Sequence, residues 1–265
     1  MKAIILAAGK GTRLDGAAVK PKCLVDVGGA TLLHRQIDTL RSLGVTKIVI
    51  VVGFGADSIR EECDEGARAK EIGFVENSKF AETSSLYSLW LAREHLLDGF
   101  VVLNCDVLFH PQMLADLLES EYENALLLSD TDPAPLGDEE MKVKVRDQLV
   151  VDISKEIDPL DADGENVGIV KFSASGARLL VGYMDALIGS GEVKHWAPRA
   201  FLEFARHHPL HALSTRGLPW IEIDFPEDYQ RAVNDVLPRI ESLAGIWSSG
   251  INPSVSPAVS TFDEP

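Results

Sequence analysis

Cations are scarce in this 265-residue chain: 25 Lys and Arg stand against 41 Asp and Glu, for a formal net charge of −16. That balance excludes a broad surface for nucleic acid or an anionic membrane, so any phosphate handled must be met by a local cluster of cations. Cysteine is also scarce. Cys23, Cys63 and Cys105 are odd in number and share no metal-type spacing, which excludes a disulfide framework and suits free thiols in a reducing cytoplasm. No apolar run approaches the roughly 18–20 residues of a membrane helix. The stretch Met1–Gly9 reads as a buried strand entering a loop, not a secretory leader. What is present is ordinary: 46% hydrophobic and 25% charged residues exclude wholesale disorder. The length supports a core without disulfides or structural metal.

Apolar and amphipathic runs alternate through the first half. Ala3–Leu6, Lys47–Gly53, Ile72–Glu76, Phe100–Leu103 and Ala125–Leu128 read as strands, the continuous β-branched ones covered on both faces. Between them the spacing predicts helices at Leu32–Leu43, closed by Gly44, at Ala56–Ala69, over Leu86–Leu97 before Gly99, and at Met113–Leu118. Strands alternating with helices imply βαβ crossovers and a mostly parallel sheet. After residue 130 the rhythm changes. A hairpin (Met141–Arg146, Leu149–Ile153) turns at Asp147-Gln148, and strands are expected at Val167–Phe172, Leu210–Leu213 and Trp220–Asp224. Helices follow at Ala177–Ile188, Trp196–His207 and Pro226–Leu243, with Pro at an acceptable first position. Residues 1–247 are expected to form one domain, with a nucleotide-binding half (1–130) and an acceptor-binding half or lid (131–247). Residues 248–265, rich in Ser and Pro, read as a disordered tail.

The segment Leu6-Ala7-Ala8-Gly9-Lys10-Gly11-Thr12-Arg13-Leu14 places small residues, two cations and a hydroxyl just beyond a strand end. Glycines let backbone N–H groups approach an anion, and Lys10 and Arg13 supply positive charge. The spacing is not that of a P-loop, and Leu14 at the third glycine position excludes a dinucleotide fingerprint. Plain loop geometry is the alternative reading. The continuation Lys20-Pro21-Lys22-Cys23-Leu24 returns a further cation, held beside a proline, toward the same strand end.

Together these two stretches resemble the opening of the nucleotidyltransferase superfamily that makes sugar nucleotides. Glu76-Asn77-Ser78-Lys79-Phe80-Ala81-Glu82-Thr83-Ser84-Ser85-Leu86-Tyr87-Ser88-Leu89 is similar to the base-recognition segment of its phosphocholine cytidylyltransferase branch. Trp220-Ile221-Glu222-Ile223-Asp224-Phe225-Pro226-Glu227-Asp228-Tyr229 is similar to that branch's late metal-binding motif. With Asp138–Val143 and Gly164–Phe172, the similarity spans roughly residues 2–235, by motif matching. It implies a Rossmann-like α/β nucleotidyltransferase fold, a mostly parallel mixed sheet flanked by helices.

Asp106 stands at the carboxyl end of a buried strand, where open α/β sheets bind ligands; capping the Pro111 segment is its alternative use. Glu222 and Asp224 lie two apart on a short apolar strand and share a face. The resemblance implies that Asp106, Glu222 and Asp224 hold Mg²⁺, a hard cation that shares its oxygen ligands with phosphates. The implied reaction is attack by a phosphate or phosphonate oxygen on the α-phosphorus of a nucleoside triphosphate, CTP in this branch, releasing pyrophosphate. Lys22 would meet the acceptor and α-phosphates, and Lys10 with Arg13 the β- and γ-phosphates. Leu6, Ala7, Ala8, Gly9, Gly11, Thr12, Asn77, Thr83, Ser84, Ser85 and Cys105 would surround the nucleotide. Serines stand at 84 and 85 where the branch often shows two asparagines, and one of them is expected to cap the Leu86 helix.

For the acceptor, the resemblance points to Lys144, Lys155, Glu165 and Trp196, with Lys155 equally readable as a surface lysine. Trp196 could also serve subunit packing, leaving a homodimer open. The branch's usual Trp followed by an acid is here Trp196-Ala197-Pro198, so a carboxylate to pair an ammonium is expected to be missing and a neutral hydroxylated or anionic head group is favoured over choline. Trp90 and Phe100 are expected in the core, and the seven histidines form no ligand spacing. The sequence therefore reads as a Mg²⁺-dependent cytidylyltransferase acting on a small phosphorylated or phosphonate acceptor. A sugar-1-phosphate nucleotidyltransferase and a non-catalytic nucleotide sensor are the alternatives, the latter disfavoured by the presence of Lys22, Arg13 and Asp106.

Overall fold

The computed structural model describes residues 1–11, 20–64, 71–130 and 136–248. In chain order the first part runs β1 (Lys2–Ala7), α1 (Leu32–Ser42), β2 (Ile48–Val52), α2 (Ala56–Cys63), β3 (Ile72–Glu76), α3 (Ser85–Leu91) and β4 (Phe100–Asn104). β1 pairs in parallel with β2 and β4, and β2 with β3, as strand–helix–strand connections require. The period of two along β1 sends alternate residues into two separate cores: Ile4, Leu6 and Ala8 to one, Ala3, Ile5 and Ala7 to the other. Thr31 caps α1 by accepting from the His34 amide, and Gly44 ends it with a positive φ of 80°.

The second part contains β5 (Val107–Phe109), α4 (Pro111–Glu119), β6 (Asn124–Ser129), β7 (Lys142–Arg146), β8 (Leu149–Ser154), β9 (Gly164–Phe172), α5 (Ala174–Gly189), α6 (Pro198–Ala205), β10 (His211–Ser214), β11 (Trp220–Glu222), α7 (Pro226–Arg231) and α8 (Leu237–Ser248). One sheet of nine strands has the order β3-β2-β1-β4-β9-β6-β10-β8-β7. It is mixed: β9 runs antiparallel to β4, β6 and β7, while β6 and β10 are parallel. The expected hairpin turn is present, with Asp147 and Gln148 at φ of 52° and 64°, the geometry whose twist suits a two-residue connection.

Several boundaries differ from the sequence reading. Helix α2 ends at Cys63, and residues 65–69 of its expected extension lie outside the described residues. The final helix is not one regular rod: a π-helical turn, Ala232–Val236, separates α7 from α8, and α8 reaches Ser248. The remainder of the expected tail, 249–265, lies outside the described residues. Strand β5 was not expected, because a three-residue strand exists only through its pairing with the distant β11. Among the described residues no helix is long and apolar enough to cross a membrane.

Candidate active site

The carboxyl ends of β1 and β4 open into a cleft of about 410 Å³. Its glycine-loop wall carries Leu6, Ala8, Gly9, Lys10 and Gly11. Ala7, expected to contact nucleotide, instead turns its side chain into the opposite core, as strand alternation demands. Thr12 and Arg13 lie outside the described residues. Gly53 sits against this wall so tightly that a Cβ there would come 2.7 Å from the Ala8 carbonyl oxygen, and the adjacent Phe54 amide donates to that same oxygen at 3.1 Å.

Lys22 opens a short 3₁₀ turn, Lys22–Leu24, behind Pro21, whose ring packs on Gly55. At the other side of the floor, Asp106 follows β4. Its backbone oxygen accepts from the Ile223 amide at 3.0 Å, so the β5–β11 ribbon brings Asp106, Glu222 and Asp224 together. One oxygen from each of the three carboxylates lies within 4.8 Å of the others. The Lys22 ammonium donates to Asp106 Oδ2 at 3.0 Å and also to Asp224. Burial alone would lower the Lys22 pKa, but the two carboxylates outweigh it and hold it well above the usual lysine value. Glu222 is pushed well above the ordinary carboxylate range, by burial first and then by the charges of Asp106 and Asp224. Capping of the Pro111 helix falls to His110, which accepts from the Gln112 amide at 3.1 Å, and not to Asp106.

These residues fit a hard divalent cation. Asp106 Oδ1 is buried without a hydrogen-bond partner, and all three donors are carboxylate oxygens clustered on one wall of the cleft.

Two braces of this floor were not expected. Gln36, 2% exposed, donates through Nε2 to the carbonyls of Asn104 and Val107, both at 2.9 Å, fixing the turn that carries Asp106. Its signal was a polar residue on the apolar face of the Leu32–Leu40 helix. Asp228 accepts from the amides of Asp224 and Phe225 at 3.1 and 2.9 Å, and an acid in the first turn after Pro226 could have indicated it.

In the expected base-recognition segment, Thr83, Ser84 and Ser85 line the cleft, as do Asn77 and Cys105. Asn77 acts as an internal brace: it is 1% exposed, its Nδ2 donates to Thr83 Oγ1 and Ser88 Oγ, and its Oδ1 accepts from the Lys79 amide. Neither serine caps α3 with its side chain. The Ser85 hydroxyl accepts from the Ala197 amide at 2.9 Å instead. With Ser84 N–H donating to Val193 and Leu86 N–H to His195, this segment is laced to the 193–197 segment that carries Trp196.

Lys155 and Trp196 lie together in the cleft, the Lys155 Nζ 5.0 Å from the Trp196 ring centroid. Lys144 lies outside the lining and pairs with Asp161 at 3.0 Å. Glu165 lines a neighbouring acidic depression that shares Glu139, Glu222 and Asp224 with the cleft. The carboxylate expected to be missing beside Trp196 is supplied by Glu139, which pairs with Lys155 at 3.2 Å. Phe100 is buried as expected, whereas Trp90 is half-buried, its Nε1 donating to Asp185 at 2.7 Å. Tyr183 is not among the residues that line the cleft; it is hydrogen-bonded to His208 and stacked on His207.

A glycine loop at a strand end, a buried lysine between two carboxylates and a third carboxylate beside them are the site of a nucleotidyltransferase. The chain belongs to the family of the MobA-like NTP transferase domain, whose model matches residues 3–222. It is similar to choline-phosphate cytidylyltransferase of Streptococcus pneumoniae (strain ATCC BAA-255 / R6), with 31% identity over 237 residues, 87% of this chain and 96% of that protein. A solved CTP:phosphocholine cytidylyltransferase from Streptococcus pneumoniae superposes with a TM-score of 0.69 at 26% identity, covering 87% of this chain and 96% of that one. The fold is shared with an inositol-1-phosphate CTP transferase from T. maritima, at a TM-score of 0.74, 23% identity and coverage of 91% and 96%.

Proposed function

We propose that this enzyme is a Mg²⁺-dependent cytidylyltransferase that joins CMP, taken from CTP, to a small phosphorylated or phosphonate acceptor. The observation that carries the reading is continuity: one cleft runs from the Gly9–Gly11 loop past Lys22 and the three carboxylates to Lys155 and Trp196. The cleft therefore offers a triphosphate end and an acceptor end with the buried cation between them.

An acceptor phosphate oxygen forms a bond to the α-phosphorus as the bond to the β-phosphate oxygen breaks, and pyrophosphate leaves. The nucleophile is already an anion, so no general base is required. The task is to hold two anions together and offset the charge gathered in the transition state. Lys22 has three N–H donors. Two are directed to Asp106 and Asp224, and the third is assigned to the phosphates that meet above it. Lys10 holds the β- and γ-phosphates from the loop, and Arg13, for which the resemblance implies the same role, lies outside the described residues. Asp106, Glu222 and Asp224 would hold Mg²⁺, which supplies charge neutralisation to phosphate oxygens when bound. Ser84 and Ser85 border the base, with Asn77 fixing the segment from behind.

The three free cysteines agree with a reducing cytoplasm, and burial pushes the Cys63 thiol up to about 12. The acidic surface leaves nucleic acid and membranes out of the set of partners.

The test is pyrophosphate release from each of the four NTPs across a panel of phospho-acceptors. Preference for CTP supports the reading. Preference for UTP or GTP with sugar 1-phosphates moves the enzyme to the second reading and gives the serines at 84 and 85 a part in the choice of base. Nucleotide binding without turnover would mark a sensor.

A further inference from the structure

Recognition of a quaternary ammonium requires an aromatic face and a nearby carboxylate to offset its desolvation. Both are present at the acceptor end of the cleft, in Trp196, whose side is 50% exposed, and Glu139. Both are already engaged by the same group. The Lys155 ammonium lies 5.0 Å from the Trp196 ring centroid and 3.2 Å from Glu139 Oε2, where the head of a cationic acceptor would have to go.

The arrangement is anchored on each side. Lys155 directly follows β8. Glu139 belongs to a short loop held by the buried Lys142, which donates to the Gly137 carbonyl at 2.6 Å, while Glu140 accepts from the Gly137 amide at 2.7 Å. Trp196 is held through the Ala197 amide on Ser85 and the Leu86 amide on His195. Nor do the acids flanking Trp196 in sequence supply a substitute. Glu192 pairs with Arg199 at 3.1 Å and lies 3.7 Å from His195, and Glu203 pairs with Arg199 and with Arg206. Glu139, Glu192 and Glu203 are thus each matched to a cation of the chain itself.

We propose that Lys155 is a specificity-determining residue that fills the cation site of the acceptor pocket from within, so that the enzyme rejects ammonium-bearing head groups and takes a hydroxylated, uncharged one. The proposal rests on the reading of the cleft as a nucleotidyl-transfer site. A cationic head would meet a like charge on the aromatic face and compete for Glu139. A polyol head meets the Lys155 N–H groups as donors and the Trp196 face as an apolar wall.

The test compares kcat/KM for phosphocholine, phosphoethanolamine, inositol 1-phosphate and 2-hydroxyethylphosphonate. The unaltered enzyme should favour the hydroxylated acceptors over phosphocholine by at least roughly tenfold, the size of one desolvated cation–π contact. Lys155→Met should shift the ratio toward phosphocholine by a similar factor, Lys155→Arg should preserve the original ranking, and adding Trp196→Leu to Lys155→Met should abolish the shift. Phosphocholine as the best substrate of the unaltered enzyme would overturn the proposal. So would a uniform loss across all acceptors in Lys155→Met, which would mark Lys155 as a phosphate ligand. A second measurement does not depend on turnover: titration of tetramethylammonium followed by tryptophan fluorescence. Lys155→Met should bind this cation, in a manner lost with Trp196→Leu, where the unaltered protein does not. Equal binding by both proteins sinks the pocket argument. Absence of pyrophosphate release with every acceptor would instead count against the transferase reading, leaving the titration to decide the role of Lys155.

Discussion

Lys22 Nζ lies 3.0 Å from Asp106 Oδ2 although 84 residues separate them in the chain. The contact joins the loop after β1 to the end of β4, and Asp224, reached through the β5–β11 ribbon, closes on the same ammonium. A single cation thus bridges two members of the carboxylate triad that would otherwise repel one another. Lys22 is the electrostatic keystone of the floor, and under the proposed function it is also the donor to the reacting phosphates.

Lys22→Ala should therefore have two separable effects. Turnover should fall by roughly 10²–10³, as for other lost electrostatic stabilisers. Stability should fall by about 3–5 kcal/mol, because removing one partner strands buried charge. The second effect should be recovered in part by millimolar Mg²⁺, so the melting temperature of the variant should respond to Mg²⁺ more than that of the unaltered enzyme. A variant that melts identically with and without the ion would contradict the cation assignment.

Asp106→Asn removes one hard ligand while keeping the shape. The fold should survive, as read by circular dichroism, and Mg²⁺-dependent pyrophosphate release should drop by two or more orders of magnitude, on the order of a lost electrostatic contact at the reacting centre. Near-normal turnover would remove Asp106 from the mechanism.

Ser85→Ala tests the link between the two ends of the cleft. Its hydroxyl accepts from the Ala197 amide, so its loss leaves a backbone donor unpaired at a cost of about 1–2 kcal/mol. KM for the acceptor should rise roughly tenfold while KM for CTP changes little. A rise confined to CTP would return Ser85 to direct base recognition.

Glu203 gives a pH prediction. Its pKa is depressed, chiefly by the hydrogen bond from Arg199, with further contributions from the charges of Arg199, Arg206 and His207. A depressed carboxylate stabilises the fold fully above its unfolded value near 4.3 and loses that contribution as pH falls through the lower folded value. The pair is partly exposed, so the effect is about 1 kcal/mol or less. Glu203→Gln should lower the melting temperature by roughly 2–4 °C at pH 7, a gap that narrows as the pH drops below about 4.3. A gap unchanged down to pH 3 would show that the ion pair contributes nothing.

The parallel half of the sheet was legible because strands buried on both faces read as unbroken runs, as in Lys47–Gly53. The Asp147-Gln148 turn was legible because two polar residues separate two strand-like runs; Arg146 pairs with Leu149 across it, and the register shifts between Lys144 and Val145. What escaped depends on partners far along the chain. Val107–Phe109 is a strand only against Trp220–Glu222, and nothing local marks it. Glu139 could not be placed beside Trp196 from sequence, since the Lys155 side chain at the end of β8 is what brings the two together. Similarly, one of the hydroxyls of Ser84 and Ser85 was expected to be a cap because local reasoning offers a serine only the helix that follows it. Tertiary packing gave Ser85 the Ala197 amide instead.

The two-stranded β5–β11 ribbon also sets an order of events during synthesis. Asp106 is made early, together with the strands that support it, but Glu222 and Asp224 arrive more than a hundred residues later, and only the pairing of Trp220–Glu222 with Val107–Phe109 draws them in. A chain still growing on the ribosome can build the nucleotide end of the cleft from β1 to β4 without the complete triad. Long-range pairings of this kind close late, after the entropy of a large loop has been overcome. Full assembly of the triad should therefore wait until residues beyond Asp224 have been made and the ribbon has paired.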